Sequence, residues 1–187
     1  MLSASALEIK MSTTASDLRN AIRSIPDFPK QGIMFHDISP LLEDAILFQG
    51  TIDLLAEQCA GKVPSKIVGL DARGFIFGAA LAYKLRVGFV PIRKKGKLPS
   101  VTISHSYDLE YGSAEFEIHC DSINQGESVI VVDDLLATGG TAAAALHLLG
   151  ELGAQVIQVL VVIELEFLKG RDALAPAEVH SLVNYKD

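Results

Sequence analysis

The chain has 187 residues, room for one domain or for a domain with a small appendage. Hydrophobic residues make up 49% and charged residues 21%, a globular balance that excludes wholesale disorder. Lys and Arg number 16 against 23 for Asp and Glu, a net charge of −7. That is the wrong sign for a protein that coats nucleic acid or an anionic membrane, although a local basic patch can still bind a small polyanion.

Mean hydropathy is positive, +0.33, but a membrane span takes about 20 consecutive apolar residues. The longest apolar runs, Gly74 to Tyr83 and Val156 to Ile163, are of core length. Cys59 and Cys120 lack metal-ligand spacing and make no disulfide framework. The N-terminus carries Glu8 and no leading cation, unlike a secretory signal. A soluble, cytoplasmic protein is expected.

Residues 1–14 are small and polar and read as a flexible extension. Leu18, Ala21, Ile22 and Ile25 form one helical stripe, with Ser16 as the expected cap and Pro26 as the stop. A breaker-rich loop follows from Pro26 to Gly32. Phe48, Ile52, Leu55 and Cys59 then predict a helix over about 44–60, ended by Gly61.

From there the chain alternates. Lys66 to Leu70 reads as a short apolar strand, Gly74 to Leu85 as a buried helix and Phe89 to Arg93 as a strand. Val129 to Val132 is the strongest strand, Thr141 to Leu152 the helix after it and Val156 to Ile163 a further buried strand. Continuous apolar strands between helices predict a parallel sheet covered on both faces. Between Lys94 and Gln125 the runs VTISHSY and AEFEIHC predict an antiparallel hairpin. The expected fold is a doubly wound α/β domain.

In such a sheet, ligands bind where strands end and helices begin. Val129 to Thr141 reads VIVVDDLLATGGT: a strand delivers Asp133 and Asp134, and a small-residue loop opens a helix. Backbone N–H groups at a helix start make a nest for a phosphate, helped here by the hydroxyls of Thr138 and Thr141. Gly139 and Gly140 allow close approach. Neither the Gly-Lys-Ser/Thr loop of nucleoside triphosphatases nor the G-x-G-x-x-G of dinucleotide binders is present. Two acids ahead of a phosphate nest suit sugar hydroxyls or a divalent ion.

A second signal is Arg93-Lys94-Lys95-Gly96-Lys97, four cations in five residues at a strand end. Arg73 also follows a strand, and its planar fork suits phosphate oxygens as well as a structural pair with Asp71. A third is Glu110 in YDLEYG, a carboxylate at the hairpin tip that is either solvated or brought to a reacting base by a mobile hood. The five histidines His36, His105, His119, His147 and His180 are scattered, and Cys59 reads as core packing.

Taken together, PDFPKQGIMFHDISPLL, VGLDARGFIFG, IRKKGKLP, LEYG, VVDDLLATGGT and FLKGRDAL resemble the adenine phosphoribosyltransferases, within the type I phosphoribosyltransferase superfamily, over Pro26 to Val183. The resemblance implies transfer of a phosphoribosyl group from phosphoribosyl diphosphate to adenine, giving AMP and pyrophosphate, in a Mg²⁺-dependent reaction by a homodimer. It implies a 5′-phosphate site at Ala137, Thr138, Gly139, Gly140 and Thr141, with Asp133 and Asp134 at the ribose. Arg73, Arg93, Lys94 and Lys97 would surround pyrophosphate, and Met34, Phe35 and His36 would bind adenine. Glu110 would be the acid/base, with Tyr111 beside it. Mg²⁺ would be held mainly through substrate, with Asp133 and Asp134 as candidate ligands. Residues 15–187 would form one domain, with a hood from about 26–40 and a flexible catalytic loop over about 95–115.

Two positions depart from the family pattern: His36 stands where Arg is common, and Ala72 where Ser is frequent. The resemblance also implies a cis peptide between Asp71 and Ala72. Rival readings are a same-fold enzyme for a substituted adenine or xanthine, and a non-catalytic sensor of phosphoribosyl diphosphate.

Overall fold

A computed structural model describes residues 13–108 and 113–187, with the side chains of residues 107, 108, 113 and 114 left aside. The chain divides into two compact units, the first ending at Leu54 and the second running from Leu55 to Asp187.

The first unit opens with helix α1, Ala15–Ala21. Its cap is Thr14 rather than Ser16. The Thr14 side chain accepts from the Asp17 N–H, and the Asp17 carboxylate accepts from the Thr14 N–H at 2.8 Å, a reciprocal pair that satisfies two of the helix's orphan donors. The helix stops at Ala21, short of the expected Ile25, because Ile22 is extended and Arg23–Ile25 form strand β1. β1 pairs antiparallel with β2, Phe35–Asp37, matching Ser24 to His36 and Ile25 to Phe35. Helix α2, Ser39–Glu43, and helix α3, Ala45–Glu57, follow. Asp44 caps α3, accepting from the N–H groups of Ile46 and Leu47 at 2.9 Å each.

The second unit is built on a seven-stranded sheet. Its elements are β3 Lys66–Leu70, α4 Gly74–Leu85, β4 Gly88–Lys94, β5 Thr102–Asp108, β6 Ser113–His119, β7 Ser128–Leu136, α5 Gly140–Glu151, β8 Gln155–Leu165 and β9 Val179–Tyr185. The strand order is β5-β6-β4-β3-β7-β8-β9. β4, β3, β7, β8 and β9 are mutually parallel, and the β5–β6 hairpin joins β4 antiparallel. This is the expected doubly wound, mainly parallel sheet with an antiparallel excursion.

Strand alternation sorts the core onto two faces. Val68, Leu70, Val90, Ile92, Val129, Val131, Val159 and Val161 cluster with Ala142, Ala145, Leu148 and Leu149 of α5. The other face receives α4, which fits closely because Gly78 lies against Gly69, Phe89 and Val132. Two differences from the sequence expectation matter. β9, with its alternating VHSLVNY, adds an edge strand beside β8 that no continuous apolar run announces. β7 does not stop at Val132 but continues through both acids to Leu136, because β8 keeps pairing with it as far as Leu136 opposite Glu164. β3 ends at Leu70 and pairs with β7 only as far as Val132.

Candidate active site

That mismatch in strand length makes the site. Beyond Val132, β7 has a neighbour on one side only, and Asp133 and Asp134 lie where β3 has run out. From β3 the chain turns through α4 to β4 on one side, and from β7 through α5 to β8 on the other. The gap between β3 and β7 is therefore the topological switch point of the sheet, where doubly wound folds place their ligands. A cavity of about 480 Å³ opens there, lined by Asp71–Arg73 after β3, Lys94 at the end of β4, Phe116 of β6, and the run from Asp133 to Ala142.

The floor of the cavity is the start of α5. Gly139 is the cap residue with φ of +87°, and α5 begins at Gly140. The first-turn N–H groups of a helix have no intrahelical acceptor, and the cavity is lined by the residues that carry them. Gly139 is required twice over: its φ is left-handed, and a Cβ there would run into the Gly170 carbonyl.

Above this floor stand the two carboxylates. Burial pushes the Asp133 carboxyl well above the usual carboxylate range, and the neighbouring Asp134 charge adds to it. Burial also raises Asp134, against the pull of Arg73, whose Nε lies 2.9 Å from Asp134 Oδ2. Asp133 Oδ1 accepts the N–H of Asp134 at 2.8 Å, which fixes the orientation of the first carboxylate. Gly74 leaves room for the same atom: a Cβ at residue 74 would stand 2.8 Å from Asp133 Oδ1. Chemically, the arrangement offers N–H donors for an anion, acceptors for hydroxyl groups and two cations, Arg73 and Lys94, for further negative charge.

The Asp71–Ala72 peptide, in the cavity wall, is cis as expected. Arg73, Lys94, Asp133, Asp134, Ala137, Thr138, Gly139, Gly140 and Thr141 all come together in the one cavity. Arg93 and Lys97 do not line it. The Arg93 guanidinium lies 3.3 Å from Asp71 Oδ2, donates to the Lys97 carbonyl at 3.1 Å and sits 5.9 Å from the Phe75 ring centroid. Glu110 and Tyr111 lie outside the described residues.

Met34, Phe35 and His36 belong to the first unit. Phe35 meets Phe28 edge to face with ring centroids 5.0 Å apart, and the Met34 side chain is exposed. The intervening loop closes through Gly32, whose N–H donates to Asp27 Oδ1 at 2.7 Å. The His36 imidazole faces the Ser24 hydroxyl at 3.4 Å, and burial, with the nearby Arg19 charge, holds its pKa below the ordinary histidine value.

A family profile for the phosphoribosyl transferase domain matches residues 43–181. An adenine phosphoribosyltransferase of Clostridium botulinum is 56% identical over 169 residues, covering 90% of this chain and 98% of that protein. The chain belongs to the adenine phosphoribosyltransferase family. The crystal structure of the family member from Thermoanaerobacter pseudethanolicus superposes with a TM-score of 0.90 at 48% identity, covering 92% of this chain and 100% of that one. The Saccharomyces cerevisiae member, crystallised with an imino-altritol bisphosphate and adenine, gives a TM-score of 0.85 at 45% identity, with coverage of 90% and 97%.

For this adenine phosphoribosyltransferase family member the structure adds two supporting residues that the sequence reading passed over. Gly170, in the FLKGRDAL motif, backs the loop before α5: a Cβ on it would collide with the Ala137 carbonyl. Glu117 of β6 is buried and accepts from the N–H groups of Lys97 and Leu98 at 2.8 and 2.7 Å. A glycine within a quoted motif was a usable sign for the first. The second had none, since a lone Glu in an alternating strand looks solvent-facing.

Proposed function

We propose that this chain transfers the 5-phosphoribosyl group of phosphoribosyl diphosphate to adenine, giving AMP and pyrophosphate. The observation that supports it most directly is the convergence of the α5 start, the Asp133 and Asp134 carboxylates and the cations Arg73 and Lys94 in a single cavity at the sheet's switch point. In this reading the 5′-phosphate sits on Ala137 to Thr141, and Asp133 and Asp134 accept from the ribose hydroxyls. Arg73, Arg93, Lys94 and Lys97 serve the pyrophosphate side, and Met34, Phe35 and His36 serve adenine. Residues 15–187 act as one domain, with 26–40 as hood and about 95–115 as the segment that carries Glu110 and Tyr111.

Adenine N9 attacks C1′ as the C1′–pyrophosphate bond breaks, and Glu110 takes the proton that leaves the purine. Charge develops on the ribose and the leaving group, so the protein acts mainly by positioning and by electrostatic stabilisation. Mg²⁺ fits the donor set. It binds through one or two carboxylates plus substrate phosphates, and Asp133 and Asp134 are adjacent hard-oxygen donors in the cavity. In this reading the ion is carried largely by substrate, since two adjacent carboxylates leave most of an octahedral shell to phosphate oxygens and water. When bound it neutralises charge on the leaving pyrophosphate.

The reading includes a cytoplasmic homodimer without nucleic-acid or membrane partners. Among the described residues no helix is long and apolar enough to cross a membrane. The test is pyrophosphate release in the presence of phosphoribosyl diphosphate, Mg²⁺ and a panel of bases. Adenine should be turned over well ahead of hypoxanthine, guanine and xanthine. Release with no base or with all bases alike would overturn the assignment.

A further inference from the structure

The turn that follows β4 carries Lys95 and Lys97, and Lys94 at its root lines the cavity. Loops rich in lysine are expected to be mobile, because like charges repel and each side chain gains entropy when free. Here the turn is stitched along its whole length to one face of β6. Lys95 donates its N–H to the Glu115 carbonyl at 2.9 Å and its ammonium to Glu115 Oε1 at 2.6 Å. Glu117 Oε1 takes the N–H groups of Lys97 and Leu98 at 2.8 and 2.7 Å. Two residues on, His119 Nε2 lies 2.6 Å from the Pro99 carbonyl. Residues 115, 117 and 119 share a face, since side chains alternate along a strand, while Phe116 and Ile118 point into the core.

Glu117 is the centre of this zip. Its carboxylate fills a nest of successive backbone N–H groups, the arrangement that elsewhere binds a phosphate. Burial pushes its pKa up, yet the backbone N–H groups of the turn and the Lys95 charge outweigh it and hold the carboxyl below the usual range. Charge-assisted bonds of this kind are the strong ones. Glu117 itself does not line the cavity. It faces Arg93 across the β4–β6 ladder, and Arg93 reaches over to the Lys97 carbonyl, so the turn is gripped at both its amide and its carbonyl side.

We propose that Glu117 is a positioning residue for the pyrophosphate half of the site: it freezes the cationic turn after β4 onto the strand leading away from the segment that bears Glu110. The inference rests on the function proposed above. It predicts that Glu117 governs affinity for ligands that carry a pyrophosphate and leaves the α5 phosphate nest alone.

The experiment compares wild type, Glu117→Ala and Glu117→Gln by calorimetric binding of phosphoribosyl diphosphate and of AMP, with the KM for each substrate. Glu117→Ala should weaken phosphoribosyl diphosphate about tenfold or more, the scale of a lost charge-assisted bond. AMP affinity and the adenine KM should change less than about twofold. Glu117→Gln keeps an oxygen that can accept from Lys97 and Leu98, and should regain most of the loss. If Glu117→Ala does not fold, the Gln variant alone decides, with a smaller loss confined to phosphoribosyl diphosphate. Equal losses for both ligands, or none, would overturn the inference while leaving the function standing. Wild type that binds neither ligand would overturn the function, and the inference with it.

Discussion

Asp133, proposed above to meet the ribose, is held by the fold at a cost to stability. Burial first, and the Asp134 charge second, push its carboxyl well above the ordinary value of 3.8. The folded protein therefore holds this proton to higher pH than the unfolded chain does. Across that interval the folded state binds more protons, so stability falls as pH rises and the penalty is fully present above the folded pKa. Asp133→Asn keeps an acceptor for the Asp134 N–H and removes the charge. At neutral pH the variant should melt higher by at least about 2–4 °C, the shift that about 1 kcal/mol makes in a chain of this size. Its kcat/KM should drop by about 10–100-fold, because a ribose hydroxyl loses its charged acceptor. Thermal melts from pH 4 to pH 8 check the sign: the gap between variant and wild type should open as pH rises. A variant that melts lower throughout would mean the carboxylate stabilises the fold.

The second residue-scale prediction concerns Glu110, which lies outside the described residues. A general acid/base supplies about 10²–10⁴-fold. Glu110→Gln should lower turnover by that factor with little change in KM, read from initial rates at saturating substrates. Unchanged turnover would remove Glu110 from the proposed mechanism.

Among the elements, the loop between β7 and α5 depends on two glycines far apart in sequence. Gly139 is left-handed and faces the Gly170 carbonyl, and Gly170 in turn faces the Ala137 carbonyl. No side chain fits at either position without moving backbone. Gly170→Ala should therefore push the nest out of shape, weakening AMP by about tenfold or more in a binding titration, although residue 170 is not among those lining the cavity. Wild-type affinity in Gly170→Ala would show that the loop has slack. The contrast between these two glycines explains what was legible. Gly139 sits within VVDDLLATGGT, where strand, acids and helix start are contiguous, so local sequence reports the site. Gly170 and Glu117 act through contacts with distant segments, Glu117 across 20 residues, and no local pattern encodes such a pair. The same reasoning covers the strands. β3, the first half of β7 and most of β8 are buried on both faces and read as apolar runs, whereas β9 at the sheet edge alternates and β1 and β2 are three residues each.

At the scale of the units, the residues proposed for adenine, Met34, Phe35 and His36, belong to the first unit, and those proposed for phosphate and ribose belong to the second. The assignment of the adenine residues comes from the resemblance of the Gly32–Phe35 loop to the family. It separates the binding energy of a nucleotide into parts that can be measured independently. Stacking of a base on an aromatic ring contributes about 1–3 kcal/mol. Phe35→Ala should accordingly weaken AMP by about 5–150-fold, while ribose 5-phosphate, which has no base to stack, should bind the variant and the wild type alike. Parallel titrations of the two ligands check this. Equal losses for AMP and ribose 5-phosphate would mean that Phe35 acts through the packing it shares with Phe28 and not through the purine. Loss of neither would move the proposed adenine pocket to other residues, leaving the phosphate site proposed at α5 untouched.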